Sequence, residues 1–168
     1  GPRSHRGGRR MSVSRRQACA GLGATALAAS WEGTPPLADG EYGAALALLD
    51  PHWSWLTDLL AVVRAAEPGE IPDTAAAGLL VRPHGYVAVM NLSTSSAYTA
   101  SLIAHEAWHA LQHRQMRRYY GREAEREAWA LQACVLADLA PGHVAVPWLL
   151  GSIATLPDGG PLPGNPEV

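Results

Sequence analysis

Between positions 101 and 112 the chain is apolar at Leu102, Ile103, Ala104, Ala107, Trp108, Ala110 and Leu111, and the interruptions His105, Glu106 and His109 fall where one helical face would carry them. The pattern predicts a helix enclosed on nearly every side except the histidine face. Upstream, residues 41–49 are apolar at helical spacing. Asp50-Pro51 then reads as an N-cap with proline at the first position of a second helix, whose inward stripe is Trp55, Leu59, Val62 and Ala66 and whose end is Pro68-Gly69. Residues 78–82, 83–85 and 86–92 read as strand, turn and strand. Ser93-Thr94-Ser95-Ser96 offers N-cap candidates for the central helix. Downstream, Tyr119-Tyr120-Gly121 breaks the pattern, and residues 122–139 resume it with a stripe through Ala124, Ala128, Leu131, Val135 and Leu139. Trp53 and Trp55 are expected in the core, and His52 and His84 at the surface.

Composition bounds this picture to one domain, since 168 residues at 48% hydrophobic content suit a single core. All 13 basic residues are Arg, which suggests a GC-rich bacterial source. Six of them precede Trp31 without an acid, leaving 7 Arg against 15 Asp and Glu in the remainder, a net charge of −8 there. An acidic body argues against a nucleic-acid partner. Met11 opens a segment with Arg15-Arg16 and a weakly apolar run over 18–29, too short for a membrane span of about 20 residues and offering a small-residue cleavage site at Ala26-Leu27-Ala28. It resembles a twin-arginine signal peptide. The expected organisation is therefore an upstream extension and export signal over 1–30, the functional domain over 31–156, and a flexible Pro- and Gly-rich tail over 157–168. The mature protein would be periplasmic or extracellular, with no stable membrane span. Cys19 falls in the leader, so Cys134 has no partner for an intramolecular disulfide after processing and is expected to be a small buried residue.

The chemistry resides in His105-Glu106-Ala107-Trp108-His109. Residues four apart on a helix stack on one face, about 5–6 Å apart at Cβ, so both imidazoles can address one ion. Glu106 lies about 100° round the helix from His105, beside the metal, where a carboxylate can take a proton from water that the metal polarises. His113 continues the face but sits about 12 Å along the axis from His105, too far to share a tetrahedral ion, and is expected to border the site or meet solvent. The third ligand must come from elsewhere. Glu125 lies about 60° from the centre of the stripe on the later helix and Glu127 about 100° off it on the other side, so Glu125 faces inward more; Glu127 and then Glu123 are the alternatives. Tyr119, Tyr120 and His143 are positional candidates for oxyanion stabilisation.

His-Glu-x-x-His on a helix is the signature of zinc metallopeptidases. Together with Glu125-Arg126-Glu127-Ala128-Trp129 it resembles the gluzincins, which follow that signature with a downstream glutamate helix; the likeness covers about 40 residues. Gln115 stands where a metzincin would carry its third histidine. The resemblance implies a minimal zincin-like α+β domain, mostly helical with a small antiparallel sheet, in which His105, His109 and Glu125 bind Zn2+ and Glu106 is the general base. It implies zinc-dependent hydrolysis of peptide bonds in a peptide or protein substrate, or alternatively a non-catalytic zinc-bound module that retains the site. Zincins also offer substrate an edge strand, and the second strand of the hairpin is expected to be it. The chain departs from the pattern at Trp129, where many relatives place an Asp that orients a ligand histidine, so that support must come from another residue. The linker is also short. A helix running unbroken to Tyr119 would leave His109 about 15 Å from the turn and Glu125 only about 6 Å beyond it, so the first helix should end near Gln115.

Overall fold

In the computed structural model the described residues are 37–38, 40–91 and 96–155. They form β1 (Leu37–Ala38), α1 (Gly40–Thr57), β2 (Leu60–Ala65), β3 (Ala77–Arg82), β4 (Gly85–Met90), α2 (Ser96–Arg114), α3 (Arg122–Leu139) and α4 (Ala145–Thr155). This is a small α+β fold. The expected leader, tail and N-cap residues 93–95 lie outside the described residues. No helix among those described is long and apolar enough to cross a membrane.

Helix α2 is the centre of the molecule, buried from Tyr98 through Gln112. Helices α1 and α3 pack against it, α4 packs on α3, and the sheet covers a further side. Ala100, Ala104, Ala107 and Ala110 are all fully buried, and small side chains there let the surrounding backbones approach.

The N-terminal half differs from the sequence expectation in two places. Pro51 does not start a second helix: α1 runs through it. Proline inside a helix forfeits one backbone hydrogen bond and costs about 3 kcal/mol. The helix continues because Tyr42, Ala45, Leu49 and Leu56, all buried, keep one stripe in phase on both sides of the proline. The expected stretch of helix beyond Thr57 is instead strand β2. A register shift between Leu60 and Val62 puts an extra residue into the strand, so Leu60 and Val63 are both buried although three apart. That bulge imitates helical spacing in the sequence. The β-branched Val62 and Val63 suit the strand that forms.

The sheet has the order β1-β2-β4-β3, with β2 parallel to β1 and β4, and β3 antiparallel to β4. The expected hairpin is present, within a mixed sheet rather than a purely antiparallel one. Its turn requires Gly85, whose φ is +132° and where an added Cβ would lie 3.0 Å from the Ala61 Cβ. Because β2 occupies the far side of β4, the edge strand is β3 and not the second strand of the hairpin. The loop entering β3 is tied down by Glu70, which accepts two hydrogen bonds from Arg64, at 2.6 and 2.8 Å, and one from the Glu67 amide at 3.0 Å. Helix α4 was not anticipated; Ala145, Leu149 and Ser152, all buried, give it an inward stripe, and Pro147 is tolerated in its first turn. Trp53 and Trp55 pack against the core, His52 and His84 are exposed, and Cys134 is half-buried rather than enclosed.

Helix α2 ends where the linker geometry requires. The Arg117 amide donates to the Gln112 carbonyl and the Met116 amide to the His113 carbonyl, both at 2.9 Å, the paired bonds of a Schellman motif. Met116 occupies its left-handed position with φ 58° and is 94% exposed. A side chain there costs about 1–2 kcal/mol, part of which glycine would return as chain entropy on unfolding. Met116→Gly is therefore expected to stabilise the protein by about 0.5–1 kcal/mol, read from the denaturation midpoint. A second expectation concerns acid. The Arg64 hydrogen bonds, followed by the Glu67 amide, hold Glu70 down at about 2. A depressed carboxylate contributes stability that is present above its ordinary pKa and lost as pH falls through the folded value. Glu70→Gln should flatten the loss of melting temperature between about pH 5 and pH 2 relative to wild type.

Candidate metal centre

One turn of α2 and the first turn of α3 meet at three side chains. His105 and His109, both buried, bring their Nε2 atoms to 3.0 Å from one another. Glu125 reaches both, with Oε2 at 3.3 Å from His105 Nε2 and Oε1 at 3.4 Å from His109 Nε2. Ligands at about 2.0–2.1 Å from a tetrahedral zinc ion lie about 3.3 Å from one another, so these separations fit an ion at their centre. Among the described residues this is the one His, Cys, Asp and Glu cluster that could hold a metal ion.

The electrostatics point the same way. Burial pushes Glu125 up, but hydrogen bonding to His105 and His109 outweighs it and holds the carboxyl well below the usual carboxylate range. Burial pushes His109 down, and the Glu125 hydrogen bond together with the Glu106 charge overcomes that and raises it. The pocket therefore favours positive charge. Glu106, buried, has its Oε1 4.0 Å from His105 Nε2. Burial raises its carboxyl above the ordinary value.

Both imidazoles are oriented from behind by amides. His109 Nδ1 donates to Gln112 Oε1 at 2.8 Å, and His105 Nδ1 donates to Gln132 Oε1 at 3.2 Å. With that proton on Nδ1, a neutral ring would offer its Nε2 lone pair to a metal in place of the hydrogen bond that Nε2 otherwise gives Glu125. Gln112 is itself fixed, its Nε2 donating to the Ala124 carbonyl at 3.2 Å and to Glu127 Oε2 at 3.0 Å. Glu127 also accepts from Trp108 Nε1 at 3.2 Å and from Arg117 at 2.6 Å. The chain His109, Gln112, Glu127, Arg117 thus runs from the centre to the inter-helix linker.

Of the three glutamates the sequence left open, the structure brings Glu125 to the histidines, uses Glu127 to hold Gln112, and leaves Glu123 exposed. His113 donates to or accepts from the Tyr86 hydroxyl at 3.0 Å and meets Tyr119 edge-on at 4.9 Å between centroids. Tyr119 lines the cleft that contains His105, Glu106, His109 and Glu125, a cavity of about 700 Å³. Tyr120 lies instead under the Arg118 guanidinium, and His143 stacks on Tyr98 while its Nδ1 accepts from the Ala145 amide at 3.2 Å. The sequence reading missed Gln112 and Gln132. Their signal was available: Gln132 is seven residues after Glu125, hence on the same face of α3, and Gln112 is three after His109 on α2. Trp129 is buried and packs against Trp148, with ring centroids 5.6 Å apart and the planes tilted by 35°.

Stoichiometric metal binding should vanish in His109→Ala and Glu125→Ala, whereas Gln112→Ala and Gln132→Ala should weaken it by about 10–100-fold. Competition against a chromophoric chelator measures both, and unchanged affinity in Glu125→Ala would exclude this ligand set. No family model, no curated protein and no solved structure matches the chain, so the centre stands on its own geometry.

Proposed function

We propose that the protein is a compact, gluzincin-like zinc peptidase. The observation carrying this is the convergence of two imidazoles and one carboxylate at 3.0–3.4 Å beside a second, buried carboxylate that is not part of the triangle. Two neutral nitrogens and one carboxylate oxygen, with the remaining position open to a cleft, form a donor set suited to catalytic zinc. Bound zinc supplies Lewis acidity, which lowers the pKa of water and polarises a carbonyl.

The chain's own residues do the rest. Edge strand β3 borders the cleft through Ala77, Gly78 and Leu79, and its outer side is unpaired among the described residues, so an extended peptide can align there through backbone hydrogen bonds. Glu106 accepts a proton from the attacking water at its carboxylate and returns it to the departing amine. Its burial keeps that carboxyl out of bulk water, so the proton is passed within the cleft. Gln112 and Gln132 hold the two imidazoles against rotation throughout.

Glu106→Gln separates binding from chemistry. The variant should keep one zinc per chain by elemental analysis and lose about 10²–10⁴-fold in hydrolysis of an unfolded protein substrate. Retained hydrolysis in this variant would remove the assigned base. A wild-type chain that binds zinc and cleaves nothing would instead be a non-catalytic zinc module.

A further inference from the structure

Between positions 117 and 127 the chain serves two cavities. Tyr119 and Glu125 line the metal cleft, whereas Arg117, Arg118, Arg122 and Arg126, with Glu123 and Glu127, line a separate groove of about 660 Å³. Four of the seven arginines that follow Trp31 thus gather in one groove of a body whose net charge is −8. Four guanidiniums against two carboxylates leave an excess of two positive charges there, and Glu127 is committed to Arg117, Trp108 and Gln112. Arg118 lies with its guanidinium 4.9 Å from the centre of the Tyr120 ring, a contact that covers its face and directs its N–H groups along the plane. Planar forks of this kind suit an oxyanion, to which each can donate two parallel hydrogen bonds.

The same groove touches the groups that orient a metal ligand. Its lining includes Ala124 and Glu127, the two acceptors of the Gln112 amide nitrogen. Gln112 is fully buried, and its oxygen accepts from His109 Nδ1 at 2.8 Å. A backbone carbonyl and a carboxylate only accept, so the amide must turn its nitrogen to the groove side and its oxygen to the imidazole. Charge in the groove therefore acts on His109 through one side chain. Arg117 is the exposed end of this connection: it pairs with Glu127 at 2.6 Å while 46% of its side chain meets solvent. An anion that draws Arg117 away leaves more of the Glu127 charge on the Gln112 amide. The amide then pulls harder on the Nδ1 proton, which makes Nε2 a stronger donor to a metal.

We infer that this groove is an effector site for a phosphate group, free or carried on a small organic molecule, and that its occupancy tightens metal binding at His105, His109 and Glu125 through Arg117, Glu127 and Gln112. Two excess positive charges match the near-dianion that a phosphate group is at neutral pH. The site goes beyond the peptidase reading and does not require it. The two states differ by one contact, Arg117 on Glu127 or Arg117 on the phosphate. Because such coupling is reciprocal, bound zinc also raises the affinity for phosphate.

The zinc-loaded full chain is titrated by calorimetry with inorganic phosphate and with phenyl phosphate, and its zinc affinity is measured by chelator competition with and without inorganic phosphate, at ionic strength matched with KCl. One phosphate should bind per chain, and saturation should raise zinc affinity about fivefold. Arg118→Gln/Arg126→Gln should weaken phosphate binding by about 10–100-fold while keeping one zinc per chain, and Arg118→Gln alone should weaken it by about tenfold. Glu127→Gln should still bind phosphate and lose the fivefold enhancement. Tighter binding of phenyl phosphate assigns the site to a phosphomonoester, and equal binding assigns it to free phosphate. No saturable binding, a response that KCl reproduces, or binding undiminished in both arginine variants overturns the site. An enhancement that persists in those variants places phosphate on the zinc ion itself and overturns it too. Equal zinc affinity with and without phosphate overturns the coupling, and a chain that binds phosphate but no zinc overturns the coupling and the metal centre together.

Discussion

The structure depends on the compensation of charge at one buried point. Glu106 and Glu125 are drawn to a pair of imidazoles at the meeting of α2 and α3, with Glu106 pushed up by burial and Glu125 held down by its histidine partners. Two carboxylates around one pair of imidazoles repel one another unless positive charge lies between them. A divalent ion at the centre of the His105, His109 and Glu125 triangle would supply that charge, and the separations of the donor atoms suit a metal ion.

That compensation constrains the backbone around it. Glu125 lies in the first turn of α3, sixteen residues after His109 in sequence, and reaches it only because α2 stops at Arg114. The stop is enforced by a left-handed residue, and the chain accepts the strain of a methionine there. The Glu127 hydrogen bonds to Gln112, Trp108 and Arg117 then clamp the linker and both helices together. Where a carboxylate behind each histidine would add negative charge to the centre, Gln112 and Gln132 orient the rings with neutral amides. A metal ion held there would keep more of its electrophilic character than one backed by carboxylates.

A small domain can enclose such a site because its central helix is lined with alanine. Neighbouring elements approach α2 closely enough that His105, Glu106 and His109 are nearly removed from solvent, and the space that remains beside them is bordered by β3, α3 and α4. The two tryptophans on α3 and α4, Trp129 and Trp148, complete that border.

The sequence by itself determined the features set by local spacing. Residues four apart on a helix share a face whatever surrounds them, so the His105 and His109 pair, the hairpin around Gly85, the inward lean of Glu125 and the early end of α2 were all legible. Features that depend on distant partners were not. Strand β2 carried helical spacing because of its bulge, and only pairing with β1 and β4 reveals it as a strand; Pro51 broke a pattern that packing against α2 restores. Which strand forms the edge, which glutamines reach behind the histidines, and which tryptophans wall the cleft are likewise decisions of the tertiary structure. Each is a contact between residues brought together from separate elements, and no local period encodes it.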